Sequence, residues 1–246
     1  MEDLLSGGSC DTDCAASAGR LLERAGNTSS DILGYGGGSS AGSTYQAVFA
    51  RWYVSVVESG SKITYSQGFG MDNRQLSLEG EGYFEVVHNQ DLPFEIHTRE
   101  IDLRVLGTKF NFKNYSDDEE VTVSLLEGKV ALHNSLKSMS DLYLSPNEKM
   151  VLNKRTGEMV KSRTRVENSM LWTYDELFFD EELLEDIAKK LMRSYDVRIE
   201  IADSLKNRRF YGSFKVMGNT IEEVLETIAS TNRMKYRYEN EKYILY

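Results

Sequence analysis

Short runs that alternate between apolar and polar residues fill the chain from Val54 to Glu167, with turn residues roughly every eight to twelve positions. A period of two places successive side chains on opposite faces of a strand, and this spacing of turns is typical of an antiparallel sandwich or barrel-like sheet. Both prolines of the chain, Pro93 and Pro146, stand at the edges of such runs, where a missing N–H breaks no ladder hydrogen bond. The pattern predicts an all-β domain with a sandwich or roll-like antiparallel architecture over residues 54–167.

A different pattern follows over residues 168–246, where strand-like runs alternate with two amphipathic helical segments. Asp180 is predicted to cap the first helix, and Thr220 with Glu223 fits the capping box of the second. A terminal hairpin completes the order β-α-β-β-α-β-β. This order predicts a small α+β domain of the split βαβ type, with both helices on one face of its sheet.

Residues 1–53 differ in composition from the rest of the chain. Gly, Ser and Ala make up about half of the first fifty residues, and the first lysine of the chain is Lys62. A tract of this kind does not easily build a packed element. The composition predicts an atypical, disordered segment such as a flexible linker or tail.

Charge and cysteine content argue against several classes of function. The net charge is -10 with a pI near 5.0, and no basic stripe is present to neutralise a phosphate backbone, so nucleic acid is not an expected partner. No run approaches the roughly twenty apolar residues of a membrane-spanning helix, and no secretory signal pattern is found. The cysteines, Cys10 and Cys14, lack a second ligand pair for zinc. We therefore expect no metal and no cofactor.

Other residues with catalytic or metal-binding chemistry have simpler structural explanations. The three histidines fall on separate predicted strands: His88, His97 and His133. The acidic run Asp117–Glu120 could bind calcium but is predicted to be a solvated hairpin turn. Glu79 and Glu81 lie two residues apart, which places both on one face of a surface strand with no pocket implied. The chain is predicted not to be an enzyme.

Several motifs carry a resemblance to a known family. Residues 78–86 read LEGEGYFEV, which resembles the signature Leu-Glu-Gly-Glu-Ala-Tyr-Phe-Glu-Val in the sensor domain of FecR-like anti-sigma factors, with Gly82 in place of the usual Ala. Further family landmarks follow in order: Pro93-Phe94, Val105–Phe112, Val123–Val130 and Leu144–Glu148. Features of residues 168–246 are similar to the C-terminal domain of FecR-like proteins of Bacteroidetes: Trp172, Leu177–Phe179, Ser194–Val197 and Tyr211–Phe214.

The resemblance implies a role in signal transduction and transcription regulation through protein binding. In such systems an outer-membrane TonB-dependent transducer binds its ligand and touches the FecR-like sensor with its periplasmic signalling domain. The message then crosses the inner membrane to a cytoplasmic segment that holds or releases an extracytoplasmic-function sigma factor. The C-terminal domain is similar to the short N-terminal domain of secretins and TonB-dependent transducers. The chain is thus expected at the periplasmic face of the inner membrane.

The beginning of the sequence departs from the family pattern. Family members carry a cytoplasmic helical segment and a membrane span before the sensor, and neither is recognised here, so the chain is interpreted as a sensor fragment or a defective product. An early Asp-Gly-Thr hairpin is also missing. If Arg51, Trp52 and Tyr53 are encoded AGA-TGG-TAC, reading one base later gives Asp-Gly-Thr. Out-of-frame translation of residues 1–53 is therefore an alternative to a native linker.

An exposed sheet edge in the C-terminal domain is the predicted partner-binding surface, because an edge strand offers unpaired backbone groups. We expect the binding residues on two strands, one of them terminal: Tyr211, Gly212, Phe214, Tyr243 and Tyr246. A carbohydrate-binding or other ligand-binding β-module is the alternative function, and a concave aromatic cleft would favour it.

Overall fold

A computed structural model describes residues 45–49, 53–65 and 68–246, with side chains from residue 56 onward. The expectations about residues 1–44 lie outside the described residues, including the roles of Cys10 and Cys14 and most of the proposed out-of-frame segment.

Twelve strands form the first domain within the described residues, which confirms the predicted all-β class. Tyr45–Phe49, which the composition placed outside this domain, forms the first of them. The strands are β1 Tyr45–Phe49, β2 Tyr53–Val57, β3 Lys62–Tyr65, β4 Arg74–Val86, β5 Phe94–His97, β6 Ile101–Val105, β7 Thr108–Asn114, β8 Glu120–Glu127, β9 Val130–Asn134, β10 Leu142–Leu144, β11 Glu148–Asn153 and β12 Met159–Arg163.

The long strand β4 belongs to two layers of this domain. Its first half pairs with β3 and β5, in a layer ordered β10-β9-β6-β5-β4-β3, and its second half pairs with β2 and β7, in a layer ordered β1-β2-β4-β7-β8-β11-β12. The pairing of β4 with β5 is parallel, whereas the prediction was purely antiparallel. A strand shared by two layers must coil strongly, and the two ends of β4 come close together.

Arg74 fixes this closure of β4. Its guanidinium is fully buried and donates to four carbonyls, those of Leu92 (2.6 Å), Val87 (2.9 Å), Asn89 (3.3 Å) and Leu106 (3.4 Å). Burial lowers the pKa of the guanidinium below its ordinary value. These hydrogen bonds stabilise a positive charge whose burial would otherwise be unfavourable. They also join the start of β4 to the segment just past its end.

Aromatic rings fill the space between the layers. Phe84 stacks on Phe110 with 5.2 Å between ring centroids, and Phe94 lies 5.7 Å and 6.4 Å from them. All three rings are buried, so they supply core contacts rather than a concave aromatic cleft. Gly80 and Gly128 have φ values of 117° and 93°, a backbone conformation that favours glycine.

The C-terminal domain has the predicted order β-α-β-β-α-β-β. Its elements are a 3₁₀ helix Val166–Tyr174, β13 Glu176–Leu183, α1 Leu184–Tyr195, β14 Ile199–Ile201, β15 Arg209–Lys215, a second 3₁₀ helix Val216–Gly218, α2 Ile221–Thr231, β16 Tyr236–Glu239 and β17 Lys242–Leu245. Both α-helices place their apolar stripe in one core with the strands.

Two expectations about this domain are wrong. The strands form two sheets rather than one, a pair β13-β15 and a triplet β14-β17-β16, because β14 pairs in parallel with β17 and not with β15. Asp180 does not cap α1. Instead β13 continues past it with a bulge between Phe179 and Glu182, and Leu183 precedes the helix without a side-chain cap. The capping box of Thr220 and Glu223 is confirmed at α2.

Candidate functional site: an exposed ribbon and a charged domain junction

The strands β13 and β15 form a two-stranded antiparallel unit, which we call the ribbon. Tyr211 projects from its outer face with 64% of its surface exposed. The Phe178 ring packs against it edge to face, with 5.8 Å between centroids. The ribbon therefore presents the Tyr211 ring to solvent with the partly buried Phe178 ring against it, and partner binding by Tyr211 stays a prediction.

Gly212 and Phe214 lie on the packed side of the same strand. The rings of Phe210 and Phe214 stack at 5.9 Å between centroids, and a Cβ on Gly212 would lie 2.8 Å from the Phe210 ring. Gly212 is required there because any side chain would displace that ring. Both residues thus hold the ribbon together, and Tyr211 is the member of this set whose side chain is exposed.

The terminal strand is not a sheet edge, so the edge argument for it was wrong. β17 is the central strand of the triplet, between β14 and β16, because its parallel pairing with β14 fills the edge that the prediction left open. Tyr243 is buried and its hydroxyl donates to the Glu222 carboxylate. Tyr246 follows the strand, half-exposed, with the Arg237 guanidinium over its ring.

The two domains meet at a polar contact that begins at Trp172. The buried indole Nε1–H donates to Asn111 Oδ1 (3.2 Å), and Asn111 Nδ2 donates in turn to Glu81 Oε1 (2.7 Å). Asn111 lies on β7 and Glu81 on β4. The 3₁₀ helix is thereby hydrogen-bonded to β7, and Asn111 links this contact to β4.

A cluster of charges extends the contact on the side of α1. Arg193 Nη2 donates to Asp117 Oδ1 and Asp118 Oδ1 at 2.7 Å each, and its guanidinium lies 3.6 Å from the centre of the Tyr115 ring. Lys113 Nζ lies 2.8 Å from the second Asp118 oxygen. Only 13% of the Arg193 side chain and 10% of the Asp118 side chain are exposed. We refer to these residues, with Trp172 and its partners, as the junction.

The pKa values of two buried carboxyl groups shift in opposite directions, that of Asp118 in the junction and that of Glu58 near it. Burial alone would raise the pKa of Asp118, but the Arg193 hydrogen bond and the Lys113 charge lower it below its ordinary value. Burial, together with the neighbouring Glu81 charge, raises the pKa of Glu58 from 4.5 to about 7. The acidic run was predicted to be a solvated turn. Asp118 was therefore misjudged, because its partner Arg193 is distant in sequence.

The described residues contain no group of three or more His, Cys, Asp or Glu placed to hold a metal ion. Two histidines occupy one row of the sheet, because His97 pairs with Asp102 and Asp102 lies opposite His133. Each imidazole contacts a carboxylate at 2.9 Å: His97 contacts Asp102, and His133 contacts Asp141.

Among the residues that the structure describes, no helix is long and apolar enough to cross a bilayer.

These features define a class, a protein in which a twelve-stranded sheet and a small α+β unit, each with its own hydrophobic core, are joined by a buried polar junction. Residues 40–131 match the family model described as FecR protein, and residues 176–245 match that described as FecR, C-terminal. Together the matches span more than half of the chain, which belongs to the FecR family.

Solved structures agree with this assignment. Two crystal structures of a candidate anti-sigma factor from Parabacteroides distasonis ATCC 8503, at 1.65 and 2.50 Å resolution, each have a TM-score of 0.76 and 28% sequence identity to this chain. Each match covers 84% of this chain and 96% or 95% of the other. A search of curated proteins found no match.

Proposed function

We propose that this chain is the periplasmic sensor part of a transmembrane anti-sigma factor in the inner membrane. It relays a signal from an outer-membrane TonB-dependent transducer to an extracytoplasmic-function sigma factor, which a cytoplasmic segment of the protein binds. The observation that carries the proposal is that both domains match FecR models in order, together with the likeness to a candidate anti-sigma factor.

The ribbon is the proposed binding site for the transducer's periplasmic signalling domain. Tyr211 supplies a large, rigid and exposed aromatic ring, and Phe178 supports it from the neighbouring strand. Aromatic rings of this kind are enriched among residues that dominate the binding free energy of protein interfaces. On the opposite face of β15, the Phe210 and Phe214 rings stack on each other and pack with the core, which anchors the strand that carries Tyr211.

Calorimetric titration tests this site. The chain is titrated against a panel of purified signalling domains from the TonB-dependent transducers encoded in the same genome. Tyr211→Ala is expected to weaken binding by about tenfold, the effect of losing a central aromatic contact. Tyr238→Ala is the matched control, because Tyr238 is 62% exposed but lies on β16 in the other sheet. Failure of every domain to bind refutes the proposed function, and equal loss in both variants refutes the site.

A further inference from the structure

The outer edge of β15 has free backbone groups at defined positions. Val216 N–H donates to the Asp175 carbonyl (2.8 Å), and Leu184 N–H donates to the Arg208 carbonyl (2.9 Å). Because hydrogen-bonding direction alternates along an antiparallel strand, the even-numbered residues of β15 face β13 and the odd-numbered residues face away from it. The outward N–H and C=O groups of three residues make no hydrogen bond to any described residue: Arg209, Tyr211 and Ser213.

No other described strand offers a comparable edge. β15 has seven residues and one neighbour, and it is the longest uninterrupted strand with a free side, since β13 is broken by its bulge. Edge strands of natural proteins are usually short, bulged or covered, because a free ladder invites pairing with another chain. A long regular edge beside an exposed tyrosine therefore indicates a binding function.

Charge along this edge indicates the chemistry of the partner. The segment from Ser204 to Ile221 contains four basic residues and no acidic one, although the chain has a net charge of -10. Two of the four, Arg209 and Lys215, lie on the exposed face of β15 on either side of Tyr211, and Arg209 Nη1 also donates to the Glu181 carbonyl of β13 (2.6 Å). They lie six positions apart, which corresponds to about 20 Å along a strand.

We infer that the outer edge of β15 accepts an extended acidic strand of the transducer's signalling domain, whose backbone pairs with Arg209, Tyr211 and Ser213. Two carboxylates six positions apart on that strand lie opposite Arg209 and Lys215, and an apolar residue between them contacts the Tyr211 ring. Backbone pairing supplies affinity, and the charges with the ring select the sequence and register. The inference rests on the proposed function for the identity of the partner.

Peptides test the edge without any transducer. The probe is as long as β15, seven residues, with glutamate at both ends and alternating threonine and valine between. Its matched control carries lysine at both ends. Added to the isotope-labelled full chain at millimolar concentration, the glutamate peptide is expected to shift the amide resonances of residues 209–215, whereas the lysine peptide leaves them unchanged. Equal shifts with both peptides, or none with either, overturn the inference.

A pair of variants tests the edge in the natural complex. Ser213→Pro removes one outward N–H at a position where no intramolecular hydrogen bond is lost, and Ser213→Ala keeps it. The proline variant is expected to weaken binding of the signalling domain by about tenfold, and the alanine variant by less than about twofold. Equal affinities overturn strand pairing while leaving the proposed function intact, and absence of any binding by the wild-type chain refutes that function instead.

Two controls complete this test. Circular dichroism and the unfolding midpoint establish that the proline variant is folded, and the peptide titration decides the inference if it is not. Light scattering across a concentration series detects pairing between two copies of the chain. A dimer that Ser213→Pro abolishes assigns the edge to self-association and overturns the inference.

Discussion

Replacing Glu58 by glutamine should stabilise the chain at neutral pH, by an amount that depends on pH. The folded-state pKa of this carboxyl is about 7 against an ordinary value of 4.5. Between these values the native state binds more protons than the unfolded state, so the free energy of unfolding falls as the pH rises. Each pH unit in the window costs about 1.4 kcal/mol, which gives a loss of about 3 kcal/mol once the pH exceeds 7.

Burial is the main cause of this cost, followed by the Glu81 charge and then Asp175, with partial relief from Arg193. Tyr115 also lies within electrostatic range of the carboxyl. Glutamine keeps the shape of the side chain but carries no charge. The expected gain of Glu58→Gln over the wild type is therefore close to zero below about pH 4.5 and about 3 kcal/mol above about pH 7.

Urea unfolding of both proteins from about pH 4 to about pH 8 measures this difference directly, because all other titrating groups are common to the two chains. Glu79→Gln is the control, since this carboxylate lies exposed on β4 in the same region of the domain. If the free energies of unfolding of the two proteins differ by the same amount at every pH, the charged form of Glu58 does not destabilise the fold. If Glu79→Gln gains the same stability with the same pH dependence, the effect comes from removing any negative charge in this region and not from the burial of Glu58.

Three further substitutions test the junction and the ribbon. Arg193→Ala should lower the free energy of unfolding by about 2 kcal/mol, because it leaves a buried carboxylate short of a charged donor, and hydrogen exchange along α1 should rise. Trp172→Phe replaces the buried indole by a smaller aromatic ring and removes the donor to Asn111, so a loss of about 2 kcal/mol is expected in chemical unfolding, and Trp172→Tyr should not restore it. Gly212→Ala should cost about 1 to 3 kcal/mol, seen as a lower unfolding midpoint, because its Cβ meets the Phe210 ring; Ser213→Ala on the same strand should cost little.

The parts of the fold that were predictable from sequence are those set by local chemistry. Alternation predicted the all-β class of residues 54–167, because a strand buried on one face repeats its side-chain environment every two residues. The capping box of Thr220 and Glu223 involves atoms three residues apart, and the helix begins there. Asp180 misled the prediction since an acidic residue before an apolar run also suits a bulged strand, and tertiary pairing with β15 decided between the two.

The features that sequence did not reveal are set by contacts between distant residues. Arg74 looks like an ordinary strand residue, yet its carbonyl partners lie 13 to 32 positions away. Asp118 sits in an acidic run whose composition suggests solvent, and its partner Arg193 follows 75 positions later. In the ribbon, Tyr211 and Gly212 were both predicted to bind a partner, but a strand places neighbouring residues on opposite faces, and which face is exposed depends on where the core lies.

One strand connects the ribbon to the junction. β13 follows directly after the 3₁₀ helix that carries Trp172 and runs directly into α1, which carries Arg193. The segment that contains β13 is thus held to the first domain at two points, by the buried hydrogen bond of Trp172 before the strand and by the buried ion pair of Arg193 in the last turn of α1. Such contacts are individually worth about 1 to 3 kcal/mol. Because both contacts resist movement of β13, we expect β15 to keep its outer edge in a fixed orientation, so that the proposed partner strand would pair with it without first having to order it.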